Sequence, residues 1–358
     1  MKPPVALLAA STIVCVAVVF ASEASATAFK RIDLISNQAG VAKNQDPDLV
    51  NSWGIAHAPG GPLWVADNET GLATVYDRKT GAKQGLTVTI PKGAPTGMAY
   101  VKQDDDNDID FPISAGGNTG PSVFAFVSEA GLISGWNPDV DANNAVTAVD
   151  LSGSHAVFKG VAVAHRREGL YAADFHNNKV LRFGEQFQLE GTFTDPDLPK
   201  NFAPFNVAIL NDHLYVALAK REKDGDDEVD GKGLGYIDVF EKGGRLRQHL
   251  VANGLLNAPW GMTIAPSSFS EFAGALLVGN FGDGRINAFN PDNGEFLGTL
   301  TNAGGHPLKI DGLWALDAGP DGSVAFSAGP DDESNGLVGL IEPMGAKVAL
   351  KKQRSLPA

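Results

Sequence analysis

A single cysteine, Cys15, is present among 358 residues. It sits in the apolar N-terminal run, so the rest of the chain can build neither a disulfide nor a thiolate metal centre. Basic residues are also scarce: 28 Lys and Arg against 42 Asp and Glu leave a formal charge of −14. Phosphate binding needs a basic surface, which excludes nucleic acid as a partner and disfavours docking on an anionic membrane. An acidic surface keeps a chain soluble by self-repulsion and attracts divalent cations. After residue 27 no dozen-residue window sustains apolar residues at i, i+3, i+4 and i+7, so helix content is expected to be very low. No HExxH or G-x-S-x-G occurs. Gly279–Gly284 has the glycines of a phosphate loop, but it joins two strand-like runs with no helix behind it, and that reading is rejected.

Only one long apolar run exists, Val5–Ala21, with Lys2 before it and Ala24-Ser25-Ala26 after it. This is the layout of a cleaved signal peptide over residues 1–26; the run is short for a membrane span and lacks a basic flank. The expectation is a secreted protein, periplasmic or extracellular, that starts near Thr27. No stable membrane insertion is expected after cleavage. The remaining 27–358 form one domain, large enough to bury a core without disulfides.

What is abundant is glycine, 42 residues, and a repeat. Leu276–Asn290 reads as a short apolar strand, a Gly/Asn/Asp turn and a second apolar strand ending in an aromatic. Leu63–Asp77 and Leu170–Phe183 repeat it closely; Val123–Asn137, Leu214–Glu241 and Val324–Glu342 repeat it more loosely. Strand hairpins at a period of about 40–50 residues are the signature of a β-propeller. Each copy is preceded by an inner strand A: Trp53-Gly54, Thr96-Gly97, Lys159-Gly160, Phe205-Asn206, Trp260-Gly261 and Asp311-Gly312 open them, five of the six with glycine second. A missing side chain there lets strands crowd round the axis. Outer D strands follow the hairpins, except in the sixth copy. Phe29–Ile35 is a strand without a blade, and pairing it there closes the ring and removes open edges. The fold class is therefore all-β: a six-bladed propeller with four-stranded blades, closed by the N-terminal strand and expected to be monomeric.

Two insertions interrupt the period, Gln103–Gly120 between strands A and B of blade two and Lys220–Gly233 between B and C of blade four. They should project from opposite faces. The D–A and B–C connections share one face and converge on the axis. That face gathers Asn51, Trp53, Asn68, His176, Asn206, Trp260, Asn280 and Asp283 as candidate ligand-binding residues. Asp67, Asp174 and Asp311 are the candidate metal ligands, since an oxygen-rich ring suits Ca²⁺ or another divalent cation. The alternative is that these acids and amides cap strand ends with local hydrogen bonds. The only glutamate among the turns so gathered is Glu69. Asp106-Asn107-Asp108-Ile109-Asp110 starts like a calcium loop, but Phe111 stands where that loop needs glycine.

Asn51-Ser52-Trp53-Gly54-Ile55, Phe202-Ala203-Pro204-Phe205-Asn206, Pro259-Trp260-Gly261, Leu277–Phe289 and Ile310–Trp314 resemble the hallmark segments of an uncharacterised family of exported six-bladed propellers. Some of its members carry PEP-CTERM sorting tails; here Lys351–Ala358 closes the chain without an apolar anchor. The repeats are more distantly similar to NHL-type and gluconolactonase-like propellers. The resemblance implies fold and export but no catalytic residues. Two functional readings remain. One is a binding module for a protein, glycan or small molecule at the channel face, with or without a metal. The other is a metal-dependent lactonase-like or esterase-like hydrolase using Asp67, Asp174, Asn206 and Asp311; such propellers usually add a glutamate ligand.

Overall fold

A computed structural model describes residues 27–102, 110–164, 168–223 and 225–345. The signal-like segment 1–26, most of the calcium-loop-like segment and the C-terminal Lys351–Ala358 lie outside the described residues. Six antiparallel sheets form the six-bladed propeller that the repeats predict, and every inner strand touches the next round to the first. Blade five has A at Pro259–Ile264, B at Leu276–Asn280, C at Ile286–Phe289 and D at Phe296–Thr299. In blade six, Leu313–Ala318, Val324–Ala328 and Leu337–Pro343 are A, B and C, and Phe29–Ser36 supplies D, with Arg31 opposite Ile341. The N-terminal clasp thus forms as expected. Among the described residues the helical content is two short 3₁₀ segments, and no helix is long and apolar enough to cross a membrane.

The strand patterns follow from position. The inner strands are largely buried because both faces are covered; Ser52–Ala56, strand A of blade one, is buried at every residue, and the polar Thr96, Lys159 and Asn206 of other inner strands are buried too. Outer strands alternate, as in Leu246–Ala252, because one face meets water. Six apolar clusters fill the seams between neighbouring blades. Each large side chain so buried contributes roughly 1.5–3 kcal/mol. Inner glycines have a steric reason. A Cβ on Gly97 would lie 2.8 Å from the Cα of Gly160 in the next blade.

One register expectation is corrected. Strand A of blade six starts at Leu313, so Trp314, not Asp311, is the counterpart of Trp53 and Trp260. Gly312 is a turn glycine at φ +60°, and Ala315 takes the inner position. Glycine therefore occupies that place in four blades, with Asn206 and Ala315 in the others.

The insertions do lie on opposite faces. The N–H of Phe111 donates to Glu185 O, in the C–D turn of blade three, at 2.6 Å. On the other face, Asp226 of the blade-four insertion lies 2.5 Å from His176 Nδ1, in the B–C turn of blade three.

Candidate functional site

The start of every inner strand carries the same irregularity. Register slips between Ser52 and Ile55, between Pro95 and Met98, and at the matching places in the other four blades. A β-bulge re-aims the extra residue away from the ladder. The re-aimed residues are Trp53, Thr96, Lys159, Phe205, Trp260 and Trp314. Their contacts run between blades, as convergence on an axis requires. Trp53 stacks on Trp314 with ring centroids 3.7 Å apart, Trp260 meets Trp314 edge-on at 6.1 Å, and Phe281 covers Trp314 at 4.1 Å. This end of the channel is closed by an aromatic plug.

The charged member of that ring is Lys159, whose side chain is 2% exposed. Its ammonium pairs with Glu129, lies 3.4 Å from Asp227 Oδ1 and sits 5.1 Å over the ring of Trp53. Burial alone would lower its pKa; the charges of Glu129 and Glu228 outweigh that and hold it up to about 12. It is a fixed cation, unsuited to act as a neutral amine nucleophile.

Amides link this lysine back to the plug. Trp314 Nε1 donates to Asn51 Oδ1 at 2.9 Å, and Asn51 Nδ2 donates to Glu333 Oε2 at 2.6 Å and to Asn68 Oδ1 at 3.5 Å. Asn68 Nδ2 donates to Glu129 Oε2 at 3.0 Å. Asn51 holds φ +47°, a left-handed conformation that asparagine tolerates better than most residues. Around the network stand four carboxylates: Glu129 from the B–C turn of blade two, Asp227 and Glu228 from the blade-four insertion, and Glu333 from the B–C connection of blade six. Burial pushes Glu228 up to about 7, offset in part by Lys159. Glu333 is raised by burial too, against the hydrogen bond from Asn51.

The structure brings Asn51, Asn68, Trp53 and Trp260 of the expected set into this one assembly. Asn206 is nearby but satisfied: its Nδ2 donates to Trp260 O at 2.8 Å and its Oδ1 accepts the Val207 N–H at 2.8 Å. The other polar candidates are held by local partners. Asp174 accepts the backbone N–H groups of Val157 and Asn177 at 3.3 and 3.2 Å. Asn280 donates to Leu255 O at 2.8 Å and to Asp283 Oδ1 at 3.1 Å. Asp311 accepts the Asp331 N–H at 3.0 Å. His176 is half-buried on the rim, beside Asp226. Asp67 is fully buried within blade one, accepts from Thr74 Oγ1 at 2.6 Å, and burial raises its pKa well above the carboxylate range. Asp67, Asp174 and Asp311 do not converge. Among the described residues, the acids and imidazole that do meet within ligating reach are Asp195, Asp197 and His249, beside the outer strands of blade four.

Sequence reasoning passed over Glu129 and Glu333, met Asp227 and Glu228 only as part of the acidic Lys220–Gly233 insertion, and treated Lys159 only as a strand start. A signal existed: Lys159 is a charged residue at a position that is aromatic in four of the six repeats. The carboxylates had none, because their connections differ in length from blade to blade.

No family model matches the chain. Two proteins of Acanthamoeba polyphaga mimivirus are related to it. Uncharacterized protein R648 is 33% identical over 338 residues, covering 90% of this chain and 82% of that protein. Uncharacterized protein L690 is 35% identical over 324 residues, covering 86% and 84%. A streptogramin B lyase structure superposes with a TM-score of 0.50 at 11% identity, covering 89% of this chain and 98% of that one. That likeness concerns the fold alone.

Proposed function

The chain belongs to the family of the mimivirus proteins R648 and L690, and from the chemistry of the mouth we propose that it is a binding module for a ligand presenting an ammonium or guanidinium group. The observation that carries this reading is the surplus of carboxylates over the plug: Glu129, Asp227, Glu228 and Glu333 face one internal cation, Lys159. Lys159 pairs with Glu129 and Asp227, which leaves Glu228 and Glu333 to an incoming positive charge. The plug beneath is closely packed, with the indoles of Trp314 and Trp260 hydrogen-bonded, so it offers a rigid platform rather than a reaction chamber. The hydrolase reading needs Asp67, Asp174, Asn206 and Asp311 round one ion, and each is instead engaged by its own neighbours.

The pH dependence has a definite sign. Glu228 takes its proton near 7 when folded and in the ordinary carboxylate range when unfolded. Its contribution to stability is present below the unfolded pKa and is lost as pH rises through about 7. Ligand affinity moves the other way, rising through the same window as Glu228 ionises. Calorimetric titration with spermine and with an arginine-rich peptide, at low salt and at pH 6 and 8, tests this. Binding should be tighter at pH 8 and should weaken about fivefold to tenfold in Glu333→Gln. Equal affinity at both pH values and in the variant would sink the proposal.

A further inference from the structure

The second polar cluster lies at the seam of blades three and four, away from the aromatic plug. Asp195 follows strand D of blade three (Leu189–Phe193), while Asp238 and His249 face each other on strands C (Gly235–Phe240) and D (Leu246–Ala252) of blade four. Asp195 and Asp238 are both buried, and the two carboxyl groups lie against one another. Asp238 Oδ2 has no donor. His249 Nδ1 is 3.2 Å from Asp238 Oδ1 and 3.6 Å from Asp195 Oδ2. Asp197 adds an exposed carboxylate within ligating reach of Asp195 and His249. Its backbone N–H also donates to Asp195 Oδ1 at 2.9 Å, which fixes how the Asp195 carboxylate points.

We infer that Asp195, Asp197, Asp238 and His249 form a binding site for one divalent transition-metal ion, with Zn²⁺ the best match. Two facing buried carboxylates need either a shared proton or a cation between them, and one imidazole nitrogen cannot serve both. The spacing fits as well. Donors bound at about 2.1 Å to a tetrahedral ion lie about 3.4 Å apart, and the two measured separations fall on either side of that value. Three carboxylates and one imidazole suit Zn²⁺ or Mn²⁺ better than Ca²⁺, which prefers an all-oxygen shell. Bound there, the ion staples the connection leaving blade three to the outer strands of blade four.

The test uses the full chain after treatment with chelator. Calorimetric titration with ZnCl₂, MnCl₂ and CaCl₂ should show one Zn²⁺ per chain, and saturating Zn²⁺ should raise the melting temperature by about 5 °C. Asp197→Asn and His249→Gln change exposed side chains and should still fold, yet each should lose Zn²⁺ affinity at least tenfold, about 10-fold to 100-fold. His176→Gln should bind Zn²⁺ as the unmodified chain does. The inference is overturned if none of the three metals binds stoichiometrically, or if Zn²⁺ binding follows His176 instead of His249. If no metal binds and Asp238→Asn melts higher than the unmodified chain, the pair is one that shares a proton, and the metal site is refuted.

Discussion

The two ends of the channel are built by the same six inner strands, yet one is closed and the other opens into a cavity. At the upper end the bulged residues Trp53, Thr96, Lys159, Phe205, Trp260 and Trp314 close the axis. Two residues further along each strand come Ile55, Met98, Val161, Val207, Met262 and Leu316, which line a cavity of about 200 Å³. The ladder is irregular above and regular below. A bulge turns its residue out of the pleat, so large side chains from different blades can meet and stack. In the regular part, side chains stand nearly perpendicular to their own sheet and ring a gap without filling it. Backbone irregularity, rather than hydrophobicity, therefore decides which end is sealed.

Breaking the plug should have the largest effect. Trp314→Ala removes a fully buried ring that stacks on Trp53 and Phe281 and that donates to Asn51. A loss of about 3–5 kcal/mol is expected in urea unfolding. A loss below about 1 kcal/mol would mean that the plug does not hold the upper end together. Lys159→Met comes next. It keeps the bulk of the side chain but leaves Glu129 and its neighbours without a counter-charge, for about 2–3 kcal/mol. That is below the fully buried case because Glu129 reaches solvent. The deficit should be larger at pH 8 than at pH 6, since the carboxylates are then more fully charged; a deficit that shrinks with rising pH would contradict the network. The smallest effect belongs to the lower ring. Met262→Ala should cost about 1–2 kcal/mol, under the usual range because the side chain already borders a cavity. It should leave binding of the arginine-rich peptide unchanged. If it weakens that binding as much as Glu333→Gln does, the two ends are not independent.

The fold was legible because each blade is a local pattern. The apolar hairpins, their Gly/Asn/Asp turns and the orphan Phe29–Ile35 strand can be read within windows of a few dozen residues. The error at Asp311-Gly312 shows where that legibility stops. Sequence placed this Asp-Gly pair beside Trp53-Gly54, but the bulge puts Trp314 there, and a bulge leaves no mark in alternation. The candidate site was half legible. Asn51, Asn68, Trp53 and Trp260 sit at repeat-equivalent corners. Glu129, Asp227, Glu228 and Glu333 come from connections of unequal length, and only the closed ring makes them neighbours. Asp67, Asp174 and Asn280 share a repeat position at the ends of B strands. Asp174 and Asn280 are bound at their own corners, and Asp67 accepts from Thr74 of the neighbouring strand.

The amino-acid sequence by itself determined the blade: strand lengths, turn chemistry, the glycines that admit close inner strands, and an N-terminal strand free to close the ring. These depend on steric and hydrogen-bonding rules that act over short stretches of chain. Only the tertiary structure decided which charges meet. Lys159 finds Glu129 from the previous blade and Asp227 from the next, and Asp195 meets Asp238 and His249 across a seam. Those encounters are set by ring closure and by low-dielectric burial, which bring together and strengthen interactions between residues far apart along the chain.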